Sequence, residues 1–453
     1  MNPLRFAQKY KNYARQVRND IMRQNVCMDR LACTTSDIRQ VILILSTSRG
    51  GSSLLFHLLA QSGQLLSLAG EHVPYYKLNG FSAFESDTNS DEIVDGTSGD
   101  LSGLSRDIIA GLGTGPELSQ VDIEEFAVRL ALHLPLQWPQ LQISAEELFS
   151  YIRRAYKTFY ECHTQWDSTA YLLLLLHLVC SNHPEINPYY YDLDVASYER
   201  EKHLLGCKPF LGPPDPYYCL EEPPFIVIRP RMSPTNNDIR EKPLLLKASV
   251  DVYRMPLLRT LFPNAEFKII HLIRNPAASI NGLYDGWLDR GFYSYNLANY
   301  DHRLAIPGYS DRYSWGQYWW NFDLPPKWEE LANIPLEYVC GFQWLSSHKA
   351  IINNLAHFRH DSMMRICFED IIHSAFRRCE TMDLILRFIG IDMDAGLQSI
   401  IQQLPVVMPT KPPTINRWLA RKEVLLPVLA QTPMKEMLHE LGYTLTQFER
   451  AIQ

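Results

Sequence analysis

Hydrophobic residues are grouped along the chain into short continuous runs, separated by longer stretches with helical spacing. Residues 41–45 (VILIL) and 266–273 are largely apolar, which is typical of strands covered on both faces in a parallel sheet. Amphipathic segments such as 252–262 and 335–358 predict helices between such strands. Alternating strands and helices predict an α/β protein, with a mainly parallel sheet and helices on both faces. Further short strands are predicted at 65–69, 225–229, 243–247 and 364–368.

Residues 82–240 interrupt this alternation. The stretch 82–120 is rich in Ser, Asp, Thr and Gly, which predicts a loop or lid. Helical spacing then returns, and Ser144 with Glu147 forms a capping-box pattern. The predicted organisation is an N-terminal adaptor (1–40), a main domain (41–430) that contains the lid loop and a helical insertion (100–240), and a C-terminal helix (431–453). Helices are predicted at 123–134, 145–162, 169–180 and 198–205, and later at 277–287, 378–389 and 434–441.

The first strand leads into a polar loop at the start of a helix. Gly50 and Gly51 allow a tight turn and close approach of a ligand, and Ser52 and Ser53 open the helix. The first N–H groups of a helix lack internal partners and carry partial positive charge, so such a loop binds phosphate. Arg49 adds a permanent cation. The loop is not the nucleoside triphosphatase version, because no Lys precedes Ser52. The alternative is an ordinary Gly-Ser turn.

Two later strands also end in basic residues. Lys247 and Arg274 each follow a predicted strand, as Arg49 does. The carboxyl ends of parallel strands share one edge of a sheet, and ligands bind beyond that edge. We therefore expect the three cations to form one anion site, the alternative being separate solvated charges at the rim. Glu71 and His72 follow the second strand and are expected at the same rim.

Composition limits the kinds of partner. The 453 residues carry a formal net charge of −7, which argues against a nucleic-acid binder that works by bulk electrostatics. Nine cysteines are scattered without metal-binding spacing, so free thiols in a reducing compartment and no metal site are expected. The basic start of the chain lacks the apolar core of a signal peptide, and the longest apolar run, 170–180, is about half a membrane span. A cytoplasmic protein without a membrane span is predicted.

Aromatic residues are concentrated at 284–328, which holds five of the nine tryptophans. Two interpretations stay open: these rings pack a long excursion onto the sheet, or they line a pocket for an acceptor molecule. Further along, a Pro-rich link (405–413) leads to a basic cluster around Trp418.

Several of these segments together resemble the sulfotransferases that use 3′-phosphoadenosine 5′-phosphosulfate (PAPS). Residues 46–55 are similar to the family's loop for the 5′-phosphosulfate, with Arg49 where many members have Lys. Residues 267–287 are similar to the strand, turn and helix that hold the 3′-phosphate, and residues 246–249 to the strand whose Lys reaches the sulfuryl group. The resemblance implies a sulfotransferase fold of the P-loop type. It covers the α/β core at about 41–75, 243–290 and 335–425, with weaker matches at 365–372, 386–391 and 417–422.

The resemblance implies roles for individual residues. Arg49, with the N–H groups of residues 50–53, would hold the 5′-phosphate, and Lys247 would reach the bridging or sulfuryl oxygens. Arg274 would hold the 3′-phosphate. The expected cofactor contacts are Ser48, Arg49, Gly50, Gly51, Ser52, Ser53, Arg274, Ser279, Asn281, Arg417, Arg421 and Lys422, and the expected catalytic residues are Glu71, His72, Lys247 and Arg49.

One position departs from the family pattern. The Ser that usually lies eight residues after the strand-end Arg is replaced by Gly282 in this chain. Ser279 or Asn281 would then substitute for it from the same helix, or the phosphate would rely on Arg274 and the C-terminal basic cluster.

The function implied is transfer of the sulfuryl group of PAPS to a hydroxyl of a small molecule, such as a lipid, phenol, sugar or secondary metabolite. Glu71 is the first choice as the base, and His72 the second, because its intrinsic pKa lies nearer neutrality. No metal, nucleic acid or membrane span is expected. Two alternatives remain: a P-loop kinase, and a binding or scaffold protein on the same fold.

Overall fold

A six-stranded sheet forms the centre of the protein. The computed structural model describes residues 12, 15, 16, 19, 32–84, 88–93, 99–118, 122–139, 141–193, 212–214, 220–289, 291–409, 411 and 414–450. The strands lie in the order β3-β2-β4-β1-β5-β8, and only β3 runs antiparallel to its neighbour. A separate antiparallel pair is formed by β6 and β7. The strands are β1 (Gln40–Leu45), β2 (Leu66–Ser67), β3 (Gly113–Thr114), β4 (Leu244–Leu246), β5 (Glu266–Ile273), β6 (Tyr293–Asn296), β7 (Trp319–Asn321) and β8 (Met363–Cys367).

Helices connect and cover these strands, so the fold is α/β with a mainly parallel sheet, as the hydrophobic pattern predicts. Several begin at a side chain that accepts a backbone N–H of the first turn, as Ser144 does from Glu147. The helices are α1 (Ser52–Leu59), α2 (Val73–Leu78), α3 (Leu101–Gly111), α4 (Ile123–Gln137), α5 (Ala145–Cys162), α6 (Ser168–Cys180), α7 (Asn236–Glu241), α8 (Met255–Leu261), α9 (Pro276–Trp287), α10 (Leu336–Leu355), α11 (Phe368–Ile372), α12 (Ala375–Ile389), α13 (Ala395–Gln402), α14 (Lys422–Leu429), α15 (Thr432–Glu440) and α16 (Leu445–Arg450).

Strand β1 shows why its residues are continuously apolar. Val41, Leu43 and Leu45 pack into one hydrophobic core, with residues of α2, α3 and α8. Ile42 and Ile44 point to the opposite face, into a core shared with α1, α12 and α13. Side chains alternate between the faces of a strand, so a strand covered on both sides needs apolar residues at every position.

The helical insertion has a hydrophobic core of its own. Helices α4, α5 and α6 supply most of it, which confirms three of the predicted helices. The helix predicted at 198–205 lies outside the described residues. The strand predicted at 225–229 is absent: only Phe225 forms an isolated bridge, with Tyr191. The next N–H, that of Ile226, is taken by the Glu221 carboxylate at 2.6 Å rather than by a neighbouring strand.

Two other predictions need correction. Part of the loop predicted at 82–120 is ordered secondary structure, because Asp100 caps α3 and the buried Leu104 and Ile108 fix it to the core. The single C-terminal helix is divided into α15 and α16, with Gly442 between them in the left-handed region at φ 84°. Gly390, at φ 78°, likewise ends α12 where the sequence predicts a stop.

Candidate functional site

The carboxyl ends of the three central strands open into one cavity of about 470 Å³. Lys247 directly follows β4, Arg49 lies in the loop after β1, and Arg274 directly follows β5; all three line the cavity. Because β4, β1 and β5 are parallel neighbours, their ends necessarily meet at one edge. The structure therefore brings the three basic residues together, as their positions at strand ends predict.

Arg49 is held in an unusual environment. Its backbone adopts a positive φ of 63°, and its guanidinium lies 5.1 Å from the Phe292 ring. Its Nη1 donates to the Met408 carbonyl at 3.0 Å, whereas its buried Nε has no partner. Burial, followed by the positive charges of Arg274 and Arg417, lowers the pKa of Arg49 to about 10. A cation that is buried beside other positive charges is strongly stabilised by an anion that binds next to it.

Arg274 lies beside Arg49 and points into the same space. Its Nη1 donates to the backbone carbonyl of Arg49 at 2.9 Å, and its guanidinium lies 5.0 Å from the Phe368 ring. Burial lowers the pKa of Arg274 as well. Among the ion pairs of the described residues, none joins Arg49 or Arg274 to a carboxylate. The pair is thus a concentrated positive charge without a direct counter-ion from the described part of the chain.

The two glycines of the loop are required by their neighbours. Gly51, the N-cap residue of α1, has φ 95°, and a Cβ there would lie 2.2 Å from the Phe368 ring. A Cβ on Gly50 would lie 2.1 Å from the Ser46 hydroxyl. The loop therefore packs tightly on the protein side, and Ser52 and Ser53, in the first turn of α1, line the cavity on the other.

Ser48 has a partner that the sequence does not indicate. Its hydroxyl donates to Oδ1 of the buried Asp323 at 2.8 Å, and Tyr253 donates to the other carboxylate oxygen at 3.2 Å. Burial raises the pKa of Asp323 to about 7. Ser48 lines the cavity but is tied to the carboxylate behind the loop.

Lys247 and Glu71 form an ion pair on the cavity wall. The Lys247 ammonium contacts the Glu71 carboxylate and also donates to the Ser53 hydroxyl at 3.0 Å. The N–H of Ser249 approaches the second Glu71 oxygen at 3.4 Å. A carboxylate, an ammonium and a hydroxyl therefore lie together next to the start of α1. This arrangement suits proton transfer beside an anionic group.

His72 lies behind this wall rather than on it. Its ring is fully buried, with Nε2 at 2.9 Å from Asp251 and 3.0 Å from the Tyr76 hydroxyl. His72 is not among the residues that line the cavity. Adjacent positions in a chain point in different directions, so Glu71 and His72 do not share the rim.

The residues expected to hold a 3′-phosphate are only partly brought together. Asn281 lines the cavity, and its side-chain oxygen accepts from Arg421 Nη1 at 2.6 Å. Ser279 is fully buried, its hydroxyl lacks a partner, and it does not line the cavity. Arg417 lines the cavity, whereas Arg421 and Lys422 lie outside its wall.

The structure also explains Gly282. A Cβ added there would lie 3.1 Å from the Cβ of Arg49. The space that a Ser side chain would need is therefore next to the stem of Arg49. Because glycine at 282 has no side chain, the bulky side chain of Arg49 can lie between α9 and the cavity.

Several cavity residues were missed from the sequence. Phe292 and Phe322 stack at 4.6 Å on the wall, whereas Trp287, Trp320 and Trp328 are buried in the core. Most of the aromatic segment 284–328 thus packs in the hydrophobic core, and only part of it lines the cavity. Its Phe residues gave no local signal, because a core ring and a wall ring look alike in a sequence.

Two carboxylates from the insertion side also reach the cavity. The Glu221 carboxylate already contacts His133 at 2.5 Å and accepts hydrogen bonds from Gln137 at 3.1 Å and from the Ile226 N–H. Glu222 contacts the Ser294 hydroxyl and takes part in none of the ion pairs found within the described residues. Burial raises the pKa of Glu222 to about 6. In the sequence, these two adjacent acids directly precede Pro223 and Pro224. This was the one sequence feature that could have indicated them as cavity residues.

Comparison with known proteins gives limited results. No protein-family model and no curated protein matches the chain. Solved structures that match include the sulfotransferase domain from the curacin biosynthetic pathway, at 14% identity and a TM-score of 0.36, over 90% of this chain and 98% of that one. Another is the sulfotransferase domain from the Synechococcus PCC 7002 olefin synthase, at 14% and 0.34, over 90% and 95%. The sulfotransferase STF1 from Mycobacterium tuberculosis H37Rv matches at 11% and 0.32, over 92% and 83%.

Similarities this remote carry no argument about activity, which has to be inferred from the site itself. Within the described ranges, no group of three or more His, Cys, Asp or Glu is arranged to hold a metal ion. In the same residues, no helix is both long enough and apolar enough to cross a membrane.

Proposed function

We propose that the protein is a PAPS-dependent sulfotransferase acting on a hydroxyl of a small molecule. The observation that carries the proposal is the convergence of Arg49, Lys247 and Arg274, from three adjacent strand ends, on a cavity at the N-terminus of α1. The resemblance of the surrounding segments to that family supports it.

The site suits a donor with two anionic ends. Arg49, the unpartnered buried Nε of its guanidinium and the N–H groups at the start of α1 are placed for one phosphate. Arg274 and the basic C-terminal segment are placed for a second. Bound PAPS would supply a sulfuryl group attached to a good leaving phosphate.

Glu71 is the proposed base. In the transfer, the acceptor oxygen forms a bond to sulfur, the bond from sulfur to the bridging oxygen breaks, and the hydroxyl proton passes to the Glu71 carboxylate. Lys247, already in contact with Glu71 and Ser53, would donate to the oxygen on which negative charge develops. Positioning and charge stabilisation then supply most of the rate enhancement.

The donor site is tested by ligand binding. We expect the desulfated product, 3′-phosphoadenosine 5′-phosphate (PAP), to raise the melting temperature and to bind in calorimetry without magnesium. Stabilisation by ATP with magnesium instead would favour a kinase, and stabilisation by neither would favour a scaffold protein. A radiolabelled transfer screen over hydroxyl-bearing metabolites then identifies the acceptor.

The assignment of Glu71 has its own test. Glu71→Gln is expected to keep PAP affinity and to lose at least about 100-fold in the rate of sulfuryl transfer, because a proton acceptor is removed. Transfer that survives in this variant would show that another group is the base.

The same proposal places the protein in the cytoplasm. The described free thiols include Cys33, Cys162, Cys340, Cys367 and Cys379, which agrees with a reducing compartment.

A further inference from the structure

One buried carboxylate collects the basic residues of the C-terminal segment. Asp285 lies on α9 with its side chain fully buried. Lys411 approaches it at 3.0 Å, Arg417 at 3.0 Å and Arg421 at 2.8 Å. Arg421 also stacks over the Tyr284 ring at 4.6 Å. Asp285 is separated from these partners by more than 120 residues, and no motif marks it.

The cations that meet at Asp285 outnumber the carboxylate that they share. Three basic side chains form ion pairs with this one group. Although burial by itself raises the pKa of Asp285, hydrogen bonds from Arg421 and Lys411 bring it below its ordinary value, so the group is ionised at neutral pH. A phosphate monoester carries about −1.5 to −2 at pH 7, so it would be attracted to this group of cations.

The segment that carries these cations also forms part of the cavity wall. We call residues 404–409, 411 and 414–421 the strap; residues 404–409, 411, 414, 415, 417 and 418 of it line the cavity. At its start, the Met408 carbonyl accepts from Arg49, and the Met408 N–H donates to Asp192 of the insertion at 3.1 Å. At its end, Asp285 holds the basic residues. The strap is thus fastened at both ends along the wall of the anion site.

We propose that Asp285 is a positioning residue for the donor. It holds Lys411, Arg417 and Arg421 against α9 and so fixes the strap on the cavity wall, with Arg421 in contact with Asn281 and with Arg417 close enough to act on Arg274. The second phosphate of the donor would bind to these positioned cations. The inference rests on the proposed function for the identity of the ligand, but the attachment of the strap to Asp285 is a property of the protein alone.

Asp285→Asn tests the proposal, with Asp383→Asn as the control, because Asp383 is an exposed carboxylate on α12 that does not line the cavity. In Asp285→Asn, amide hydrogen exchange in the strap should accelerate at least about tenfold without nucleotide. PAP affinity should fall at least about tenfold, and its dependence on salt concentration should become weaker. The control should match the wild type in both measurements.

A double-variant cycle shows whether Asp285 acts through its partners. If Asp285 positions Arg421, the loss of PAP affinity caused by Arg421→Gln should be smaller in the Asp285→Asn background than in the wild type. A carboxylate with a purely structural role would lower the melting temperature and leave PAP affinity and its salt dependence unchanged, which would overturn the proposal. Should Asp285→Asn fail to fold, Arg421→Gln alone must show the faster exchange and the weaker binding.

The two hypotheses fail in different ways. If the wild type does not bind PAP at all, the proposed function is wrong, and the exchange experiment still decides whether Asp285 holds the strap. If PAP binds but exchange in the strap is the same in Asp285→Asn as in the wild type, the positioning role is wrong and the sulfotransferase proposal stands.

Discussion

Replacing Arg49 by methionine separates a binding role from a structural one. Burial, together with the positive charges of Arg274 and Arg417, lowers the pKa of Arg49 from 12.5 to about 10, which corresponds to ~3 kcal/mol of unfavourable free energy for keeping the charge there. The folded-state pKa lies below that of the unfolded chain, so the unfolded state binds the proton more tightly. The penalty is therefore complete at neutral pH and fades only as pH rises above about 10.

Methionine removes this penalty but also removes favourable contacts. The hydrogen bond to the Met408 carbonyl is worth ~1.5–3 kcal/mol, as one that involves a charged group. The contact with the Phe292 ring adds ~0.5–1 kcal/mol. Because these losses nearly equal the penalty removed, we expect the free energy of unfolding of the ligand-free protein to change by less than ~1 kcal/mol. The methionine stem also retains the packing against Gly282.

Nucleotide binding should respond very differently. Loss of the charge-assisted hydrogen bonds from Arg49 to a phosphate should cost ~2 kcal/mol, or about 30-fold in PAP affinity. Urea denaturation measures the stability and calorimetry the affinity. Arg259→Met is the matched control, since Arg259 lies over the Phe358 ring at 4.6 Å and is not a cavity residue. A large loss of stability with unchanged PAP affinity would refute the assignment of Arg49.

Two further substitutions test the cavity wall. Glu222 has a folded-state pKa of about 6, above its ordinary 4.5, so its charge destabilises the protein as pH rises through 6. Glu222→Gln should therefore raise the free energy of unfolding by up to ~2 kcal/mol at pH 8 and by little at pH 4. Urea titrations at the two pH values check this, and an equal effect at both would contradict it. Gly51→Ala should lower the free energy of unfolding by ~2–3 kcal/mol and abolish PAP binding, because of the positive φ and the Phe368 ring. Gly63→Ala, where a Cβ has no neighbour within 4 Å, should change neither.

Strand β1 and the loop that follows it could be predicted from local sequence, whereas the strand predicted at 225–229 was wrong. The run 41–45 is apolar at every position because both faces of β1 are covered, and the predicted helix limits at Cys162 and Gly390 were confirmed. Local capping and glycine conformation act within a few residues, so a sequence displays them. The loop predicted at 82–120 was wrong over 101–111, because burial of Leu104 and Ile108 outweighs the polar composition around them.

The meeting of Arg49, Lys247 and Arg274 was also predictable, for a topological reason. Parallel strands in one sheet put their carboxyl ends at the same edge, so residues that follow three such strands share that edge wherever they lie in the chain. Glu71 joins them through Lys247, whereas His72 turns into the interior to meet Asp251. The direction in which the next side chain along the chain points depends on packing, which cannot be read from the sequence.

Only the tertiary structure decided how the strap forms part of the cavity wall and which acids face the cavity. Asp285 meets Lys411, Arg417 and Arg421 because α9 and the strap pack together, although no spacing links them in the chain. Glu222 reaches the wall by the same kind of long-range packing. Hydrophobic patterns with a period of two or 3.6 residues indicate strands and helices and where these end. The pairing of single charges across the fold depends on loop paths and side-chain packing that no such period encodes.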